Sequence, residues 1–141
     1  MRLAISRRSV KYGPVSYHVL FVDDEAPIRE MLSLFFKKKG FSVTSVVTGV
    51  EAMELVDQVP FDAAIVDVNL AGENGLELLG FLKSNYPALP VVMFTGLSSD
   101  KKILEEAMAR GANGFMSKNE SLDTLYNELV KHLPKPAAAA H

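Results

Sequence analysis

Residues 18–40 read HVLFVDDEAPIREMLSLFFKKKG, and the order of patterns within them decides the fold. His18–Val22 is a short apolar run closed by three acids, Asp23, Asp24 and Glu25. Behind the acids, Ile28, Met31, Leu32, Phe35 and Phe36 recur at the i, i+3, i+4, i+7, i+8 spacing of one helix face. Pro27 suits a first helical turn, and Gly40 after Lys37, Lys38 and Lys39 reads as the stop. The three lysines favour the negative end of that helix. A strand that runs directly into a helix is the repeating unit of an α/β sheet.

The same alternation continues to the C-terminal side. Phe41–Val46 reads as a second strand, and Ala52, Leu55, Val56 and Val59 as a helix face. Ala63–Val66 is a third, fully apolar strand. A loop with Gly72 and Gly75 leads to a helix from about Leu76 to Tyr86. Pro90–Phe94 is the fourth strand, followed by a helix through Ile103, Leu104, Ala107 and Met108 that stops at Gly111. Phe115–Met116 mark the fifth strand. Leu122, Leu125, Tyr126, Leu129, Val130 and Leu133 give the last helix its face. Met31, Met53, Met93, Met108 and Met116 all fall at core spacings. Five strand–helix alternations imply a parallel sheet covered by helices on both sides. Ligands of such sheets bind outside the carboxyl ends of the strands.

Composition agrees with one globular domain. The 141 residues are 48% apolar and 23% charged, with no cysteine, which excludes a disulfide framework and a thiolate zinc site. No run approaches the roughly 18 apolar residues of a membrane span, and no secretory leader is visible, so the expected compartment is the cytoplasm. The net charge of −2 argues against a dedicated nucleic-acid binder. It hides an asymmetry: residues 1–17 carry Arg2, Arg7, Arg8 and Lys11 without an acid, and the remainder nets −6. This arm reads as a solvated terminus, with an anionic partner as the functional alternative. Residues 18–133 form the folded body and 134–141 a Pro- and Ala-rich tail. His18, His132 and His141 show no metal-ligand spacing.

The strand ends carry the chemistry. The first ends in Asp23-Asp24-Glu25, the third in Asp67, the fourth in Thr95-Gly96 and the fifth in Ser117-Lys118. Singly, an acid after a strand is an ordinary helix cap. Gathered at one sheet edge, several carboxylates repel one another unless a cation compensates. A hard divalent ion with oxygen ligands such as Mg²⁺ does so, and keeps positions open for phosphoryl oxygens. Lys118 and Thr95 add a positive charge and a hydroxyl donor, and Asp67 is a carboxylate nucleophile that would become an acyl phosphate.

At these residues the chain closely resembles the receiver domain of bacterial two-component response regulators. The matching segments are Val19–Glu25, Ile65–Leu70 running to Asn74-Gly75, Phe94-Thr95-Gly96 and Gly111–Lys118. The resemblance spans about residues 18–133. It implies a flavodoxin-like (βα)5 fold with a doubly wound five-stranded parallel sheet in the order 2-1-3-4-5. It implies that Asp67 is the phosphoacceptor, loaded by a sensor histidine kinase or a histidine phosphotransfer protein. Asp24 would bind Mg²⁺ directly, Asp23 directly or through water, and Asn69 through its backbone carbonyl. Lys118 would pair with the phosphoryl group, and Thr95 with Phe115 would form the switch that addresses a downstream protein target or a second copy. Such a domain is a signalling phosphoacceptor and catalyses only its own phosphorylation and dephosphorylation. Two positions depart from the usual pattern: Ala71 and Asn119 each stand where proline is common.

Three other readings explain less. A haloacid dehalogenase-type phosphatase has its nucleophile on the first motif strand and a second Asp two residues later, where this chain has Asn69. A flavin binder needs a hydroxyl-rich phosphate loop, and Asp23-Asp24-Glu25 would repel the phosphate. A receiver-like binding module that works without phosphorylation usually lacks an acid or the lysine, and here all are present.

Overall fold

The computed structural model describes residues 16–96 and 100–134. Most of the basic arm and of the Pro/Ala-rich tail lies outside these residues. The described residues form seven strands and five helices, in the order β1 His18–Val22, α1 Ala26–Lys38, β2 Ser42–Val46, α2 Gly49–Val56, β3 Ala63–Val66, β4 Asn69–Leu70, β5 Glu73–Asn74, α3 Gly75–Asn85, β6 Val91–Thr95, α4 Lys101–Ala109, β7 Gly114–Ser117 and α5 Leu122–Val130. The main sheet is parallel throughout, in the order β2-β1-β3-β6-β7. This is the expected 2-1-3-4-5 order, with β6 and β7 as the fourth and fifth strands of the sheet.

The strand pleat divides the core between two faces. Leu20 and Val22 of β1, Val66 of β3 and Met93 of β6 pack with Ala52, Leu79 and Ala107 from α2, α3 and α4. Val19, Phe21, Ile65 and Phe94 point the other way, against Leu32 and Phe36 of α1 and Leu125 and Leu129 of α5. Phe36 is the hub of that second face. Its ring meets Phe21, Phe35 and Phe41 edge-on at 5.2, 5.5 and 5.4 Å and Tyr126 at 5.9 Å. Edge-to-face aromatic contacts of this kind add to the burial of the rings themselves.

Local signals set the element ends. Pro27 starts α1, and the chain leaves it through Gly40 at φ 90°, a conformation that side chains with a Cβ rarely adopt. Thr48 and Glu51 form a reciprocal capping box on α2. Asp100 and Ser121 cap α4 and α5. Among the described residues no helix is long and apolar enough to cross a membrane, and no peptide bond is cis, so Lys118–Asn119 is trans.

Four local expectations need correction. The segment after Asp67, read as a loop, contains the short antiparallel hairpin β4–β5, in which Asn69 pairs with Asn74 and Leu70 with Glu73. Leu70 is buried there at 2% exposure, and Gly72 supplies φ 69° for the turn. Met31 and Met108 are not core residues: they are 42% and 49% exposed, on the flanks of α1 and α4. A helix stripe widens at its edges, and spacing alone does not separate flank from core. Tyr17, counted with the arm, packs against the α1/α5 side and donates its hydroxyl to Pro134 O at 2.8 Å. The regular part of α5 stops at Val130, and Leu133 packs on the core from the turn beyond it.

These positions make the fold testable by a contrast within one helix. Phe36→Ala removes a fully buried ring at the aromatic hub, and equilibrium unfolding in urea should show a loss of about 3–5 kcal/mol. Leu34→Ala, on the exposed face of α1, should stay within about 0.5 kcal/mol of the parent.

Candidate functional site: an acidic pocket closed by one lysine

Strands β1, β3, β6 and β7 of the main sheet each deliver one group to the same edge. β1 ends in Asp23, whose amide donates to Val46 O of β2 and whose main-chain oxygen accepts from Arg29 Nη1 at 2.8 Å. β3 runs into Asp67, whose amide donates to Val22 O of β1. β7 runs into Lys118, whose amide donates to Thr95 O at the end of β6. Backbone hydrogen bonds between neighbouring strands thus hold the main chain at all four positions before any side chain is considered.

The side chains converge on Lys118 Nζ. It lies 2.7 Å from Asp67 Oδ2, 2.9 Å from Asp23 Oδ2 and 2.5 Å from Glu25 Oε1. Asp23 and Asp67 are nearly inaccessible, and Glu25 closes the pocket from the solvent side. Carboxylate oxygens of Asp23, Glu25 and Asp67 lie within 4.8 Å of one another. One ammonium against three carboxylates leaves two negative charges over. An oxygen-only donor set with surplus negative charge fits a hard divalent cation such as Mg²⁺.

The titration behaviour follows from the crowding. Burial pushes the Asp23 carboxyl above its usual range, more strongly than the Glu25 amide and the Lys118 ammonium pull it down. Burial works against the Lys118 ammonium, yet its hydrogen bonds to Asp67, Glu25 and Asp23 outweigh this, and the proton is held more tightly than on a free lysine.

The remaining expected residues take distinct places. Asn69 donates its amide to Asp67 Oδ1 at 3.3 Å. Thr95 is fully buried at the end of β6. By the strand alternation it shares the α2–α4 side of the sheet with Met93, which is paired to Phe115. Phe115 is half-buried on that side. Asp24 is half-buried and does not join the group formed by Asp23, Glu25 and Asp67. Glu25 is the member that the motif reading did not single out. The chain bends at Asp24, Glu25 donates its amide to Asp23 Oδ1 at 2.9 Å, and both carboxylates reach Lys118. Among the described residues no histidine belongs to a metal-holding group: His18 bonds Thr44 Oγ1 at 2.7 Å and His132 bonds Glu128 at 3.2 Å.

Gly75 explains how the hairpin closes under the site. A Cβ there would meet Asp67 O at 1.9 Å, so the backbone at residue 75 can lie against the Asp67 carbonyl only because the side chain is absent. The Gly75 amide also donates to Val68 O at 2.7 Å.

Residues 19–130 match the family model described as the response regulator receiver domain. A cyclic di-GMP phosphodiesterase of Thermotoga maritima is 34% identical over 107 residues, which cover 76% of this chain and 28% of that protein. The chain spans about a quarter of the length of the curated relatives it matches. Among solved structures, the chemotaxis response regulator CheY4 of Vibrio cholerae is 31% identical with a TM-score of 0.77, covering 84% of this chain and 99% of its own. The response regulator TrrA of Thermotoga maritima, solved in complex with Mg²⁺ and beryllofluoride, is 26% identical with a TM-score of 0.75, covering 83% and 99%.

The raised Asp23 pKa carries a sign. Because the folded state holds this proton more tightly than the unfolded chain, stability falls as pH rises from about the unfolded value of 3.8 through the folded one. Above that window the ionised carboxylate is a net cost. Asp23→Asn should therefore melt at a higher temperature than the parent at pH 7 in metal-free buffer. The difference should narrow as pH is lowered toward 3.8, which paired thermal melts across pH will show.

Proposed function

The chain belongs to the response regulator receiver family, and from that premise we propose that Asp67 accepts a phosphoryl group from the phosphohistidine of a sensor histidine kinase or histidine phosphotransfer protein. The observation that carries this reading is the ion pair of Asp67 Oδ2 with Lys118 Nζ at 2.7 Å, in a pocket of surplus negative charge. It gives a nucleophile, a fixed positive charge and a donor set for a divalent ion in one place.

Asp67 reacts as the carboxylate. One of its oxygens forms the bond to phosphorus while the phosphorus–nitrogen bond of the donor breaks, and that electron pair stays with the departing imidazole. Lys118 then exchanges its bond to the carboxylate for one to a phosphoryl oxygen, so its charge stays in the pocket through the transfer. Its hydrogen bond to exposed Glu25 holds the ammonium at the mouth of the pocket meanwhile. Mg²⁺, held by the carboxylates of Asp23, Asp24 and Asp67 and the main-chain carbonyl of Asn69, would offset the charge of the phosphoryl oxygens. The Mg²⁺ and beryllofluoride bound by TrrA support that assignment. The domain acts as a signalling phosphoacceptor in the cytoplasm and catalyses only its own phosphorylation and dephosphorylation.

The output runs through Thr95 and Phe115. A phosphoryl group adds acceptor oxygens near the buried Thr95 hydroxyl, which turns toward one of them. The space it leaves admits the half-buried Phe115 ring, and the face of α4, β7 and α5 changes its apolar surface. A downstream protein, or a second copy of the domain, reads that face. Phe115 has no hydroxyl to satisfy, so its inward position needs no polar partner.

Two experiments test these steps. With Mg²⁺ and acetyl phosphate, intact-mass spectrometry should show one acid-labile phosphoryl group on the parent and none on Asp67→Asn; equal labelling of both would remove Asp67 from the role. For the output, a fluorine label on Phe115 should change its chemical shift when Mg²⁺ and beryllofluoride are added, and Thr95→Ala should abolish the change. An identical Phe115 environment in both states would defeat the switch and leave the phosphoacceptor assignment standing.

A further inference from the structure

The hairpin β4–β5 is joined to the neighbouring helix by one side chain. Glu73 Oε1 accepts the Gly49 N–H, the first amide of α2, at 2.6 Å. That amide has no partner within the helix, and the N-terminus favours a carboxylate. The other cap of α2, Thr48 with Glu51, is separate from this contact. On the hairpin itself Glu73 is paired with Leu70, and the next pair joins Asn74 to Asn69. Asn69 donates its amide to Asp67 Oδ1, and the hairpin ends at Gly75, packed against Asp67 O. The segment from Asp67 to Gly75 is thus a closed loop, and Glu73 ties it to α2. The tie borders a cleft lined by Val50, Met53, Leu70 and Glu77.

From this geometry we infer that Glu73 is a positioning residue for the acidic pocket: by anchoring the hairpin to α2 it fixes Asn69 beside Asp67 and so sets the affinity for Mg²⁺. The inference rests on the receiver reading for the identity of the metal and of Asn69 as a ligand. It adds a residue that touches neither metal nor phosphoryl group. Partners one step outside a metal's ligands commonly change affinity by about 10–100-fold when removed. Glu73 acts through a hairpin, so the lower end of that range applies.

The test is a Mg²⁺ titration of the full chain, followed by amide chemical shifts. Glu73→Ala should raise the dissociation constant by about tenfold, while Glu73→Gln, which keeps an acceptor oxygen for the Gly49 N–H, stays close to the parent. Thr48→Ala is the control for helix loosening alone. It removes the other cap of α2, lowers the melting temperature, and should leave Mg²⁺ affinity unchanged. If Glu73→Ala binds Mg²⁺ as the parent does, or if Thr48→Ala weakens binding as much, the positioning role is overturned and the receiver reading stands. If the parent itself shows no Mg²⁺-dependent shifts at Asp67 and its neighbours, both fall together.

Discussion

A single ammonium group holds three carboxylates at the edge of this sheet. Asp23 and Asp67 are almost wholly withdrawn from water, and carboxylates brought together in a buried site call for a compensating charge. Lys118 Nζ reaches both, and Glu25 as well, within 3 Å. Removing the lysine would leave like charges facing one another in a nearly dry pocket, which is costly. The parallel sheet brings the carboxyl ends of β1, β3, β6 and β7 to one edge, where this cluster forms. The fold is in this sense the frame that makes the charge cluster affordable.

The cluster is compensated but not neutral, and that imbalance links structure to function. A site balanced by its own lysine would have little affinity for a cation. In the proposed function, the two negative charges over are what a divalent ion would offset before an anionic phosphoryl group arrives. The backbone arrangement prepares this without large motion. Asp67 is fixed by its amide bond to Val22, Lys118 by its bond to Thr95, and the hairpin after Asp67 by Gly75 and Glu73. In the proposed switch, what moves is small: the lysine head group, the Thr95 hydroxyl and the Phe115 ring on the same side of the sheet.

Much of this was legible in the sequence because apolar runs and helix stripes are long-range regularities. His18–Val22 and Ala63–Val66 coincide with β1 and β3, and the residues after each strand end where the sheet rule puts them. The hairpin β4–β5 escaped because two residues per strand carry no period, and its stability comes from buried Leu70 and the Gly72 turn. Met31 and Met108 show the converse limit, where a true helix spacing covers both the core line and its flank. Glu25 escaped the motif reading because three consecutive acids look alike on paper. The bend at Asp24, closed by the Glu25 amide on Asp23 Oδ1, is not visible in the residue types. Glu73 had no local signal, since its partner Gly49 is 24 residues away.

The central relation, Lys118 shared between Asp67 and its neighbours and passed to a phosphoryl group, is open to direct observation through the Nζ resonance of a 15N-labelled lysine. Adding Mg²⁺ and beryllofluoride should shift the Lys118 signal while the ammonium stays protonated, and Asp67→Asn should leave it where it was. A Lys118 resonance that does not move in the parent, or moves equally in Asp67→Asn, would contradict a pocket built around this pair.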